Sequence, residues 1–466
     1  MSIILGTSNI EQVVQERILA RTIGDGLFPP LIFRSAASQE PWEGHLGQTM
    51  TFTNEGLYEP DTTPRTPGVP PPFMTRAFEK YTATAQSYGK PIQVHMPSNW
   101  AAIDSLFYRD LKAMGLQAGQ TMGRLARNRL YRAYLAGHAI VESTAGGGTV
   151  LTVNSVSGFV ESTDPTTGFP VVTSSAAPRT FSRNGVAVES ATSRIIAAEP
   201  ADAAAPNGPG TITLSADVGF VAGDLIDATD ASIVIRPNNA TSVDGINAGD
   251  RLTMNLIQRA ITSLRRDNVG PCADGYYHVH MDPTGEGNLE NDNSFQRQIE
   301  GRGIDDDPYA KFAIGKAKSC LFFANNETPD EATVEHTVGS RPSQASAAIG
   351  SSDIGADIVN RGGVPIMRTI VIGGGALVEK SVDESAFMSE AGVSGKIGEA
   401  KVINGGVEIP LDGVRFILKS PQDVFNEVVT GAWSWTGDYV VPTNKLTGRT
   451  NAAFKRARVI ESALID

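Results

Sequence analysis

The residues best suited to chemistry lie in the second half of the chain. His278 and His280 flank Val279 in the run GYYHVHMDP. Alternate positions of a strand share a face, so the two imidazoles point the same way and could hold a metal ion, with Asp282 close in sequence. No third ligand is evident, and the spacing favours a half-exposed strand pair. Asp305, Asp306 and Asp307 offer oxygens to a hard cation, but a run just before Pro308 reads first as a solvated turn. Gly373, Gly374 and Gly375 follow an apolar run. They lack the Lys-Ser/Thr of a phosphate loop and the spacing of a dinucleotide fingerprint, so a tight turn is expected. Cys272 and Cys320 are the only cysteines. Neither has the local setting of a nucleophile, and no Gly-x-Ser-x-Gly elbow occurs. Two cysteines could form one disulfide, but nothing else points to secretion, so two reduced thiols are expected. These residues imply no catalytic group, no cofactor and no metal site.

The elements around them are more informative. The run Asn99–Gly137 has apolar residues at Ile103, Phe107, Leu111, Met114, Ala118, Met122, Leu125, Leu130 and Tyr134. Steps of mostly three and four predict one amphipathic helix. Ser98 or Asn99 is the capping candidate, and Arg124, Arg127, Arg129 and Arg132 near the far end suit the helix dipole. About 39 residues at ~1.5 Å each would make a rod of roughly 58 Å. Gly115, Gly119 and Gly123 recur at every fourth position within it. Each weakens the helix by about 1 kcal/mol relative to alanine. Either they make a flat face where another backbone approaches, or a flexing point, or they are merely tolerated.

The rest of the chain falls into blocks. Residues 1–34 form a thin arm with a short helix expected at Glu11–Thr22 and a turn at GDGLFPP. Residues 35–76 form a long excursion with five prolines within residues 61–73. Proline blocks sheet ladders and stiffens extended chain, so such an arm is either disordered or held by a partner. Strand character returns over 78–96 and leads into the long helix. Residues 145–248 are dense in Gly, Ser, Thr, Ala and Val, with turns at Thr163-Asp164-Pro165, Asn184-Gly185, Asn207-Gly208 and Gly223-Asp224. They predict a small β-barrel or sandwich. From 247 the chain alternates helix and strand, with an amphipathic helix carrying Leu252, Leu256, Ile257, Ala260, Ile261 and Leu264. Residues 412–442 predict two antiparallel strands with Trp433 and Trp435 alternating. Arg449, Lys455, Arg456 and Arg458 form a basic patch in the tail. The fold class is α+β.

Composition limits the function. The 466 residues include 48 Gly and 27 Pro, and carry a formal charge of −12. That length suffices for two or three domains, and that charge argues against a dedicated nucleic-acid binder. No basic start followed by an apolar segment marks a signal peptide, and no run of about 18 apolar residues marks a membrane span.

The order of these blocks resembles the major capsid protein of tailed bacteriophages, the Hong Kong 97-like fold. So do the phrases LYRAYLAG, GYYHVHMDP, FFANNETP, IVIGGGALVEK and VFNEVVTGAWSWTGDYVV. The resemblance covers most of the chain and is weakest over 145–248. It implies an N-terminal arm (1–34), an E-loop lying over a neighbouring subunit (35–76), and a peripheral domain with the spine helix (77–144). It further implies an inserted β-domain displayed on the shell (145–248), an axial domain (249–400), and peripheral return strands with a C-terminal tail (401–466). Trp42, Phe52, Leu57, Tyr58 and Phe73 become the expected E-loop anchors between subunits. The glycine row becomes a contact or hinge of the spine helix. Implied partners are further copies of the chain in hexamers and pentamers, a portal protein, and separate scaffolding and decoration proteins. Packaged double-stranded DNA would be enclosed without sequence-specific binding, and no membrane is involved. Assembly would take place in the bacterial cytoplasm and the product would reside in the virion. Some relatives weld subunits through an E-loop lysine, but the first lysine here is Lys80, outside residues 35–76. An encapsulin-like compartment has the same fold, and a β-rich surface-binding protein is the alternative of a different class.

Overall fold

The computed structural model describes residues 9–27, 32–42, 47–55, 78–95, 106–163, 170–201, 209–240, 245–299, 315–317, 319–324, 358–359, 364–382, 395–397, 400–403, 406–411, 413–419, 427–444 and 452–464, and positions 58, 62, 64, 68, 73 and 74. The helices are α1 (Asn9–Leu27), α2 (Leu106–Tyr134), α3 (Met254–Arg266), α4 (Pro283–Glu290) and α5 (Asn293–Ile299). No helix among the described residues is long and apolar enough to cross a membrane. The chain divides into two compact units: residues 1–51, 82–126 and 377–440, and residues 52–81, 127–376 and 441–466.

Helix α2 is the long helix read from periodicity, described over 29 residues, or roughly 44 Å. The capping candidates Ser98 and Asn99, and Ile103, lie outside the described residues. Leu111, Met114, Ala118, Met122, Ala126 and Leu130 are buried, as a 3.6-residue period requires. The chain leaves the helix through Gly137, whose φ of +83° only glycine adopts readily.

In the first unit an eight-stranded sheet runs in the order 37–41, 377–381, 428–440, 414–419, 406–411, 400–403, 395–397, with 86–95 also pairing 428–440. Strand Val428–Val440 alternates buried and half-buried positions along nearly its whole length. Phe416 lies opposite Trp433, and Trp435 opposite Tyr88. Both tryptophans are buried, and the Trp433 indole N–H donates to the Gln117 side chain of α2. Trp435 stacks on Tyr88 and Tyr439 at 5.8 and 5.3 Å. Helix α1 and residues 106–126 of α2 belong to this unit. The expected arm helix is longer than the Glu11–Thr22 reading, because it runs through Gly24 and Gly26 where a turn was anticipated. The reason is the close approach of α2: a Cβ on Gly26 would stand 2.2 Å from the Lys112 carbonyl oxygen.

The second unit holds two seven-stranded sheets. One is a β-body ordered 186–187, 181–183, 225–228, 138–145, 150–153, 210–214, 195–200. Its core joins Val141, Leu151, Phe159, Phe181, Ile212 and Ile226, among others. Its first strand begins at His138, ahead of the boundary read from composition, because the composition shift starts only after that strand has paired. Asn184 and Gly185 turn the Phe181–Arg183 strand into 186–187 with φ of +50° and +77°, the primed geometry a two-residue hairpin needs. The turns expected at Asp164-Pro165 and Asn207-Gly208 lie outside the described residues.

The other sheet is ordered 234–235, 457–463, 365–372, 277–281, 320–324, 315–317, with 358–359 pairing 365–372. Helix α3 covers it with Met254, Leu256, Ile257, Ala260, Ile261 and Leu264. Burying each of the Met, Leu and Ile side chains contributes about 1.5–3 kcal/mol. The Met254 amide donates to the Asp292 carboxylate at 2.8 Å, which caps the helix from a distant residue. Two expectations are corrected here. Strand Tyr277–Met281 is buried on both faces, not half exposed, because neighbours pair it on both edges and the sheet is covered on each side. The basic patch read in the tail is partly interior: Ala457–Ala463 is a wholly buried strand, and Lys455 and Arg458 are buried with it. Arg449 lies outside the described residues.

Candidate functional site

The chemistry-bearing motifs that lie among the described residues are absorbed by structure. His278 and His280 are 2% and 0% exposed. His278 Nε2 meets Asp274 Oδ2 at 2.7 Å. The His280 ring stacks on Phe323 at 4.9 Å with 12° between planes. Burial, with His278 beside it, holds His280 well below the ordinary histidine range, so it is neutral. Asp282, the residue nearest to a third ligand, caps α4 by accepting from the Thr284 amide at 2.7 Å. Among the described residues no three His, Cys, Asp or Glu side chains are grouped to hold a metal ion. Asp305, Asp306 and Asp307 lie outside the described residues. Both cysteines are free thiols, and burial plus Asp274 pushes Cys272 up to about 12, away from a reactive thiolate.

The glycine triplet is a packed turn. The Gly373 amide donates to the Arg456 carbonyl and the Gly374 amide to the Gly270 carbonyl, both at 2.9 Å. Those amides are spent within the fold. A Cβ on Gly374 would lie 2.5 Å from the Pro271 carbonyl oxygen, so the glycines answer a close approach of backbone, not a phosphate.

The assembly candidates fare differently from one another. Trp42 is 8% exposed, and its amide donates to the Ser381 carbonyl at 2.8 Å, so its surface is used within the first unit. Phe52 is partly buried and stacks on Tyr81 at 5.5 Å. Leu57 lies outside the described residues. Tyr58 is 50% exposed and Phe73 is 99% exposed, with Met74 beside it also exposed. Such an exposed phenyl ring leaves its apolar surface uncovered by the described residues. Gly115, Gly119 and Gly123 are all buried. At Gly115 the approaching backbone is the chain's own α1: a Cβ there would stand 2.4 Å from the Ile23 carbonyl oxygen.

Sequence reading missed the buried ion groups. Glu461 is 1% exposed and receives Arg236 Nε at 2.7 Å and Arg368 Nε at 3.3 Å. Arg368 and Glu461 are direct cross-strand partners. Burial pushes the Glu461 carboxyl up, but Arg236 and Arg368 outweigh it and hold it below the ordinary range. Arg34 and Glu379 form a second buried pair with bonds of 2.6 and 2.8 Å. Arg458 donates to Asp267 and to Ser263 Oγ. Beside them burial draws the Lys455 amine down to about 8, against the opposing pull of Glu79 and Asp267. The available signal was charge inside an apolar run, one residue in PIMRTIVI and two in ARVIESA.

No family model matches the sequence, and no curated protein matches it. Solved structures similar to the chain include the capsid of Ralstonia phage GP4, at 12% identity over 92% of this chain and 88% of that one, with a TM-score of 0.47. The capsid asymmetric unit of cyanophage Pam1 is similar at 11% identity over 92% and 89%, with a TM-score of 0.44. The head structure of Helicobacter pylori bacteriophage KHP40 is similar at 9% identity over 93% and 92%, with a TM-score of 0.43. All three are phage capsid or head structures.

Proposed function

We propose that this chain is the major capsid protein of a tailed bacteriophage, a non-enzymatic subunit that assembles with copies of itself into the icosahedral head around double-stranded DNA. The observation that carries the reading is a proline-rich stretch that leaves a large apolar side chain exposed, as a contact between subunits would use it. Residues 61–73 hold five prolines, and the arm ends in Phe73, whose ring is 99% exposed. The order of arm, long helix, β-body and mixed sheets supports the same reading, as do the phrases that resemble this family. Among the described residues, His278, His280, Asp282 and the glycine triplet serve packing and capping, which agrees with a structural role. The net charge of −12 suits a container for DNA, since phosphate-binding walls would hold the genome in place. Hexamers and pentamers, a portal, separate scaffolding and decoration proteins, host cytoplasmic assembly and residence in the virion follow from this role.

The expected result for the purified protein is large closed shells by negative-stain microscopy, with a nuclease-protected DNA content in particles taken from infected cells. Shells holding protein cargo and no DNA would turn the reading to an encapsulin-like compartment. Particles should dissociate on denaturing gels without a covalent ladder, because residues 35–76 hold no lysine. Phe73→Ala separates folding from assembly. With Phe73 almost fully exposed, subunit stability should change by no more than about 0.5 kcal/mol. Each subunit contact should weaken by about 1–2 kcal/mol, multiplied over the shell. Light scattering and denaturant titration read the two effects, and a variant that assembles like the parent would remove Phe73 from the interface.

A further inference from the structure

The β-body of the second unit is joined to the rest of that unit by two crossings of the chain. The incoming one passes from α2 through Gly137 into strand His138–Ala145, and the outgoing one leaves strand Leu225–Ala228 and runs to Ser232. The crossings lie side by side. Asp227 is the cross-strand partner of His138, the Ala228 amide donates to the Gly137 carbonyl at 2.8 Å, and the Ser232 amide donates to the Ala136 carbonyl at 3.1 Å. They are packed too closely for a side chain at 137, where a Cβ would meet the Ala231 Cα at 2.8 Å.

One imidazole joins the two crossings through both of its nitrogens. His138 Nδ1 lies 2.5 Å from Asp227 Oδ1, and Nε2 lies 2.7 Å from the Ser232 carbonyl oxygen. A carbonyl can only accept, and an ionised carboxylate can only accept. Both bonds therefore exist together only when each ring nitrogen carries a hydrogen, which is the imidazolium. The neutral ring keeps one bond and turns a lone pair toward the other oxygen. We propose that His138 is a proton-operated latch that closes the stem of the β-body, tight when the ring is charged and loosened when it is neutral.

The charges around the ring agree with this. Asp227 faces it from the paired strand, Arg236 from the segment beyond Ser232, and Glu461 from the C-terminal strand. Asp230, on the outgoing crossing, is engaged by Arg179. Burial and Arg236 work against the imidazolium, but the Asp227 charge and hydrogen bond, with the Ser232 carbonyl, outweigh them and raise the ring above the ordinary histidine value. A raised folded value means the latch is complete at and below the ordinary value. It is lost as pH rises through the folded one. The inference stands on the stem geometry and does not depend on the capsid reading.

The test is hydrogen exchange by mass spectrometry on the full chain, in one assembly state verified by microscopy at each pH, from about pH 6 to about pH 9, which brackets an elevated histidine. After correction for the intrinsic pH dependence, peptides covering 136–141 and 225–233 should lose protection as pH rises. The loss should be about tenfold for each unit by which the ring is raised. Peptides covering 366–372 serve as the internal reference. His138→Gln should abolish the difference in pH dependence between stem and reference. Asp227→Asn, which keeps the shape and removes the charge, should move the transition to lower pH and is read in place of His138→Gln if that variant does not fold. A stem whose protection tracks the reference at every pH would overturn the latch. So would His138→Gln with the parental pH profile, or Asp227→Asn with an unmoved transition.

Discussion

Glu461→Gln is expected to destabilise the folded subunit by about 3–5 kcal/mol, the usual consequence of removing one charge from a buried ionic group. Glu461, in strand Ala457–Ala463, receives both Arg236 and Arg368. Glutamine keeps the volume but removes the charge that faces two buried guanidinium groups, Arg236 and Arg368. Denaturant titration of dissociated subunits measures the effect. Replacing all three residues by apolar ones of similar size should recover most of the loss, because the group is weakly stabilising as a whole and costly only when broken. The pH dependence has a definite sign. The folded carboxyl titrates below its ordinary value, so its contribution is present above the unfolded value. It disappears as pH falls through the folded one. The parent should lose stability there, and Glu461→Gln should lose correspondingly less. A triple apolar variant that stays as unstable as Glu461→Gln would show that packing, not charge, explains the loss.

The second large effect belongs to the crossing of α1 and α2. Gly115→Leu should detach the N-terminal helix from α2. Even a single Cβ at 115 would stand 2.4 Å from the Ile23 carbonyl oxygen, a backbone atom that cannot swing aside. Overpacking of this kind costs about 1–3 kcal/mol, more than the roughly 1 kcal/mol a better helix former returns. Leu19, Ile23 and Leu27 would lose their burial, and trypsin should then cut readily at Arg21. Ala113→Leu, at an exposed position of the same helix, is the control and should leave cleavage at Arg21 slow. Equal cleavage in parent and Gly115→Leu would mean that α1 holds to α2 by other contacts. The neighbour that the structure shows at Gly115 belongs to the same chain. If the glycine row also acts between subunits or as a flexing point, Gly119 and Gly123 are the positions that remain for it, and Gly119→Leu tests them by its effect on shell assembly.

Much of the architecture was legible because it is periodic. The 3.6-residue stripe of α2, the face of α3 and the alternation of Trp433 and Trp435 follow from local geometry and the burial of apolar side chains. Asn184-Gly185 announced its hairpin because few residues accept positive φ in succession. Gly24 and Gly26 misled for the complementary reason. A glycine pair is a turn signal when read alone, and a helix-crossing site when another backbone lies against it.

What the sequence by itself determined is therefore the inventory: a long amphipathic helix, a β-rich block, alternating helix and strand, a proline-rich stretch, and the absence of a legible catalytic motif. What only the tertiary structure decided is which distant residues meet. Neighbouring strands in a sheet are chosen by global packing, and nothing in ARVIESA says that it will lie between 234–235 and 365–372. That choice makes Glu461 a shared counter-ion, buries Lys455 and Arg458, and encloses His278 and His280. The same kind of choice brings Asp227 and Ser232 to the two nitrogens of His138. Charge and titration depend on burial and on partners far away in sequence, so they are settled only when the chain has closed on itself.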